Sequence, residues 1–173
     1  MAKAHKVTGI KPLRSCRENA RIILPQKVEE VYAWESFISD ETRREELHNM
    51  RIAIKRLRYT MEFFRVAYQL PKKRSNQNSV TCNKRFVEFL EVIIDLQEIL
   101  GDIHDGDVVL EVLTDYASQS EGQGEQIAMP RGVAKLMAQS KEARKADYAT
   151  FLKKWKQLST AGFKEKLLSF LTS

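Results

Sequence analysis

Apolar residues recur three and four positions apart along most of the chain, and polar breaks divide that pattern into helices. Pro25 is suited to the first turn of a helix, and Val28, Val31, Tyr32, Ala33 and Phe37 give the segment an apolar side before Ser39 and Asp40 interrupt it. From Glu41 to about Leu70 a longer helix is predicted, with Met50, Ile54, Leu57, Met61, Phe64 and Tyr68 as its buried stripe and Pro71 as its stop. A polar loop at Lys72–Ser79 leads into a third helix through Phe86, Phe89, Leu90, Ile93, Leu96 and Leu100, predicted to end at Gly101. Asp102 and Asp105 are candidate caps for a fourth helix, whose apolar side is Val108, Val109, Val112, Leu113 and Tyr116.

Ser118–Glu125 is small, polar and glycine-containing, the composition of a linker. After Pro130 a fifth helix runs to about Leu158 with Val133, Leu136, Met137, Ser140, Tyr148, Phe151 and Trp155 on one side, and Gly162 separates it from a short amphipathic tail through Leu171. No strand alternation or internal repeat is visible. The expected fold is all-α, an antiparallel helical bundle with long helices. Residues 1–24, basic and without clear periodicity, are expected to be a poorly ordered or loosely packed arm ahead of one helical domain over 25–173.

At 173 residues, 43% hydrophobic and 30% charged, the chain suits one globular domain. Its longest apolar runs, such as Val92–Ile94, fall far short of the roughly 20 residues of a membrane span, and no apolar signal-peptide core follows the basic start. A cytoplasmic protein with no membrane partner is expected. Cys16 and Cys82 have no metal-like spacing, which argues against a cysteine metal site or a disulfide scaffold and leaves a single bridge open.

Charge changes the picture through its distribution. The total is only +6, yet Arg43–Arg74 holds ten Lys/Arg against three acids, Pro130–Leu158 eight against two, and Phe86–Glu125 eleven acids with no Lys or Arg. Two basic segments flank an acidic one, which permits either helix pairing along solvated flanks or a focused field. With His48 set at zero and 100° per residue, Arg44, Arg51, Lys55 and Arg58 fall at about 320°, 300°, 340° and 280°, beside an apolar side centred near about 200°. These cations, one turn apart, form a linear array at a groove edge, suited to an extended polyanion. In the fifth helix Arg144 lies on the apolar side: it must pair with an acid or meet a ligand's charge in a polar cavity. Lys141 and Lys145 either continue the groove or form a solvated flank.

The pattern H-x-x-R-x-x-x-K-R-L-R-Y over His48–Tyr59 resembles the signature helix of the CHAD family, the conserved-histidine α-helical domain. A second element, Leu96-Gln97 with Leu100-Gly101 and Asp105, is similar to the segment that follows it in that family. The resemblance implies an all-helical module that binds inorganic polyphosphate on a basic surface or pore, often beside polyphosphate-metabolising domains. It implies no catalytic residue, metal or cofactor. His48, Arg51, Lys55, Arg56 and Arg58 match the family's basic helix; Arg44, Lys141, Arg144 and Lys145 join them as candidate polyphosphate contacts on the geometry above. Arg56, at about 80°, sits away from the stripe. Protonated His48 would add a donor. Tyr59 and Phe63 are taken as packing residues, Asp105 as a cap or an arginine's partner, and Gln97 as satisfying a neighbour.

Full-length family members usually carry two signatures around a shared channel, whereas this chain has one, so two copies are expected to pair about a two-fold axis. The implied partners are polyphosphate and a polyphosphate-metabolising enzyme, with association to polyphosphate granules. Charge reversal at Arg51 or Arg58 is expected to cut binding, and at Lys27 to do little.

Two other classes compete. The cationic stripe would also attract nucleic acid, although it has little aromatic interleaving and no helix-turn-helix or RNA-binding signature accompanies it. His48, His104-Asp105 and Asp147 supply the residue types of an HD-type metal-dependent phosphohydrolase, but capping explains the His-Asp pair as well, and Glu45-x-x-His48 lacks the second Glu-x-x-His of a di-iron site.

Overall fold

A computed structural model describes residues 6–68, 77–121 and 130–173, excluding the side chains of 77–82 and 119–121. Its described residues form five helices and no strand: α1 (Cys16–Tyr32), α2 (Arg44–Tyr68), α3 (Gln77–Glu121), α4 (Arg131–Thr160) and α5 (Phe163–Thr172), with a 3₁₀ turn at Glu35–Phe37. This is the all-α bundle expected from the periodicity.

The first helix begins nine residues before Pro25. Ser15 Oγ accepts the Glu18 backbone N–H while the Glu18 carboxylate accepts the Ser15 N–H, a capping box that Ser15-x-x-Glu18 writes in the sequence. Pro25 therefore lies inside α1, without an N–H for the carbonyl four residues back. Ala20 and Leu24 are fully buried with Val28 and Val31, so the expected arm covers at most the residues ahead of Ser15. Burial of that face outweighs the missing backbone bond.

The core gathers Leu24 and Val28 from α1, Met50, Ile54, Leu57 and Met61 from α2, and Phe86, Leu96, Leu100 and Ile103 from α3. Phe151 of α4 and Leu167 of α5 complete it. Gly162, at φ +64°, kinks the chain between α4 and α5, which both run antiparallel to α3, and any side chain there would strain the backbone. Tyr148 donates to the Ile38 carbonyl at 2.7 Å and Trp155 Nε1 to Glu35 Oε1 at 2.9 Å, which fixes the 3₁₀ segment against α4.

The third and fourth predicted helices are one. α3 runs unbroken for 45 residues, roughly 68 Å, through Gly101 and Gly106. Gly101 is not a terminator, so Asp102 and Asp105 cap nothing; its missing Cβ would meet no atom within 4 Å. At Gly106 a Cβ would stand 3.2 Å from Arg144 Cβ and 3.4 Å from its Cγ, so the glycine marks the close approach of α4. The predicted loop at 72–79 is helical from Gln77, and 72–76 lies outside the described residues, as does the linker beyond Glu121.

The two glycines should respond oppositely in denaturation experiments. Gly101→Ala should stabilise by about 0.5–1 kcal/mol through helix propensity. Gly106→Val should destabilise by about 1–3 kcal/mol by forcing α4 away.

Candidate anion-binding site on the second helix

The α2 cations rest on a helix whose buried residues, from Leu47 through Met50, Ile54, Leu57 and Met61, face the core. Arg51, Lys55 and Arg58 are half-buried along the border of that side, as the wheel places them, and Arg44 is exposed. Antiparallel packing on α3 brings the His48 and His104 Nδ1 atoms within 3.4 Å, with ring centroids 4.6 Å apart. One Nδ1 must carry a proton and the other a lone pair for that contact to bind. Burial, then His104, then Arg51, push the His48 pKa below its ordinary 6.5. His48 is thus neutral at neutral pH, and the cationic donor expected of it gives way to a histidine pair joining two helices.

One turn beyond that pair the charges close on each other. Arg144, only 7% exposed, donates from Nε to Asp107 Oδ1 at 2.6 Å, from Nη2 to Asp107 Oδ2 at 3.3 Å and to the Glu41 carbonyl at 3.1 Å. Arg44 Nε reaches the same Asp107 oxygen at 3.2 Å. Of the two environments open to Arg144, the acid-paired one is found. Its fork is occupied, and it leaves the set of candidate polyphosphate contacts. Asp107 is the residue that sequence reading missed, a structural partner; its signal was an uncompensated cation on the apolar side of α4 with an acid-only segment to answer it. Asp105, singled out instead, is exposed.

Among the described residues no ion pair holds Arg51, Lys55, Lys141 or Lys145. Arg51 Nε is buried without a hydrogen-bond partner, so the guanidinium's charge in the middle of the stripe is left uncompensated within the described residues. Arg58 Nε donates to Glu62 at 2.8 Å, an i,i+4 pair on the surface that holds by only about 0.5 kcal/mol. Arg56 is half-buried on the other flank, and Lys141 and Lys145 are exposed on α4 beside Arg144. Lys27 is no remote control: it is buried and paired with Glu30 at 2.5 Å, so reversing its charge would leave two acids together.

Tyr59 and Phe63 are not core residues, although the Phe63 ring meets that of Phe64 edge-on at 4.9 Å. They are 51% and 72% exposed, and Lys55 Nζ and Arg58 Cζ lie 5.8 and 5.9 Å from the Tyr59 ring centroid. The stripe thus has an aromatic among its cations. Gln97 Oε1 is buried without a partner, contrary to its expected role. His48 and His104 meet, but among the described residues no group of three or more His, Cys, Asp or Glu could hold a metal. Cavities of about 510 and 400 Å³ are lined by residues such as Pro25, Glu30 and Leu168, and Arg85, Lys166 and Phe170, and by none of the stripe. No described helix is long and apolar enough to cross a membrane.

The family model of the CHAD domain matches residues 11–114, more than half of the chain. No curated protein matches. No solved structure does either.

Asp107→Ala should cost about 3–5 kcal/mol in chemical denaturation by stranding a buried guanidinium, whereas Arg44→Ala should cost about 1 kcal/mol or less. Because the folded His48 pKa is depressed, its contribution is present above pH 6.5 and is lost as pH falls through the folded pKa. Imidazole NMR should place the His48 midpoint below 6.5, and His48→Gln should flatten the acid-side fall in melting temperature.

Proposed function

The chain belongs to the CHAD domain family, and on that premise we propose that it is a binding module for inorganic polyphosphate, held electrostatically in a groove edged by α2. The observation that carries this reading is Arg51: a half-buried cation in mid-stripe without an acid partner among the described residues. Phosphate would supply that partner. Lys55 and Arg58 follow one turn apart, about 5.4 Å along the axis, so an extended chain of phosphates meets successive donors. Glu62 yields Arg58 readily because an exposed ion pair is weak and the polyanion offers several charges at once. Arg44, Arg56, Lys141 and Lys145 widen the positive field. His48 orders α2 against α3 without adding charge.

In this reading the chain binds and catalyses nothing. It would present polymer to a separate polyphosphate-metabolising enzyme, in the cytoplasm and at polyphosphate granules. Each contact expels counterions, so affinity falls as salt rises, with a slope set by the number of phosphates neutralised. Tyr59 between Lys55 and Arg58 supports a second reading, single-stranded nucleic acid stacked on that ring.

Titration of labelled polyphosphate over a salt series tests both. Arg51→Glu or Arg58→Glu should weaken binding at least about tenfold, the scale of one lost charge-assisted hydrogen bond, with helicity unchanged. Lys156→Glu, an exposed site on α4, should change it less than about twofold. Displacement by single-stranded RNA or duplex DNA at equal phosphate concentration would overturn polyphosphate specificity, and its loss in Tyr59→Ala would establish stacking.

A further inference from the structure

The antiparallel run of α2 against α3 ends early. His48 meets His104 and Arg44 meets Asp107, so residues of α3 beyond 107 lie past the start of α2. There α3 and the first turns of α4 form a two-helix hairpin, and two helices cannot bury their apolar faces on each other alone. Val108, Val112 and Tyr116 of α3 and Leu136 of α4 are exposed, though their spacing predicts burial; Val112 is 61% exposed. In the opposite direction from the histidine pair, α2 turns Tyr59, Phe63 and Val66 outward on successive turns, Val66 63% exposed. Apolar surface gathered in such stripes marks an interaction site.

The two stripes differ in sign. Around the α3 stripe stand Asp105, Glu111 and Asp115, all exposed, in a segment without Lys or Arg. Beside the α2 stripe stand Lys55, Arg58 and Arg65 against one acid, Glu62, which Arg58 holds. Each face offers the apolar surface and the charge that the other requires, and they lie on opposite sides of the His48–His104 crossing. A two-fold axis near that crossing satisfies both contacts at once, because it exchanges the two ends.

We propose that two copies of this chain dock reciprocally, the Tyr59–Phe63–Val66 stripe of each on the Val108–Val112–Tyr116 face of the other. The homodimer expected from sequence thereby acquires a defined surface, derived from exposure and charge. It forms without polyphosphate and does not rest on the polyphosphate reading. Lys55 and Arg58 lie against the Tyr59 ring, so docking and anion binding share the seam.

Sedimentation and light scattering over a micromolar concentration series, on the full chain without polyphosphate, test it. The wild type should dimerise; Phe63→Glu and Val112→Lys should each be monomeric with unchanged helicity and with melting no longer dependent on protein concentration. An equimolar mixture of the two variants should recover a dimer, because one of its two contacts is native and the other sets Glu against Lys. A monomeric wild type, either variant remaining dimeric, or a mixture that stays monomeric overturns the proposal.

Discussion

A guanidinium almost closed off from water must be neutralised where it stands, and much of this structure follows from how Arg144 meets that requirement. Asp107 answers it with both oxygens, the Glu41 carbonyl takes a further donor, and Gly106 allows α4 close enough for those bonds to form. Arg44 joins the same carboxylate, which ties the start of α2 to the junction. Three helices are thereby held in register by one acid. A hydrophobic contact could hold them together but would not specify which turn meets which.

That junction divides the basic residues by task. Arg144 and Lys27 are buried and paired with acids, so they belong to the fold. Arg51 and Lys55 have no ion pair among the described residues, and Arg58 has a weak one, so they remain for an external anion. Net charge could not reveal this division, because a paired and an unpaired arginine count alike. The histidine pair sits between the two groups. The lowered pKa of His48 keeps that imidazole from adding charge and leaves the guanidinium groups as the source of the field.

The long third helix creates the second surface. By running through Gly101 and Gly106 without a break, α3 carries its apolar stripe past the point where α2 begins. Those positions were expected to be core because their spacing is that of core; among the described residues no third helix covers them. Periodicity reports that a face is apolar, and a neighbour decides whether it is covered.

Helix content, the buried stripe of α2, the break at Gly162 and the segregation of charge were all legible in the chain, because each follows from local spacing or composition. The capping box at Ser15 and Glu18 was legible too, though Pro25 drew the helix start to itself. The fates of Gly101, Asp107, Tyr59 and Arg144 were not. Asp107 and Arg144 answer each other from separate helices, Gly101 meets no neighbour and Tyr59 stays exposed, and only packing decides which positions find a distant partner. Sequence by itself determined which residues are apolar, charged or able to turn the chain. Tertiary structure decided which charges are consumed within the molecule and which are left facing out, since electrostatic pairing depends on distance and burial, and a linear sequence contains neither.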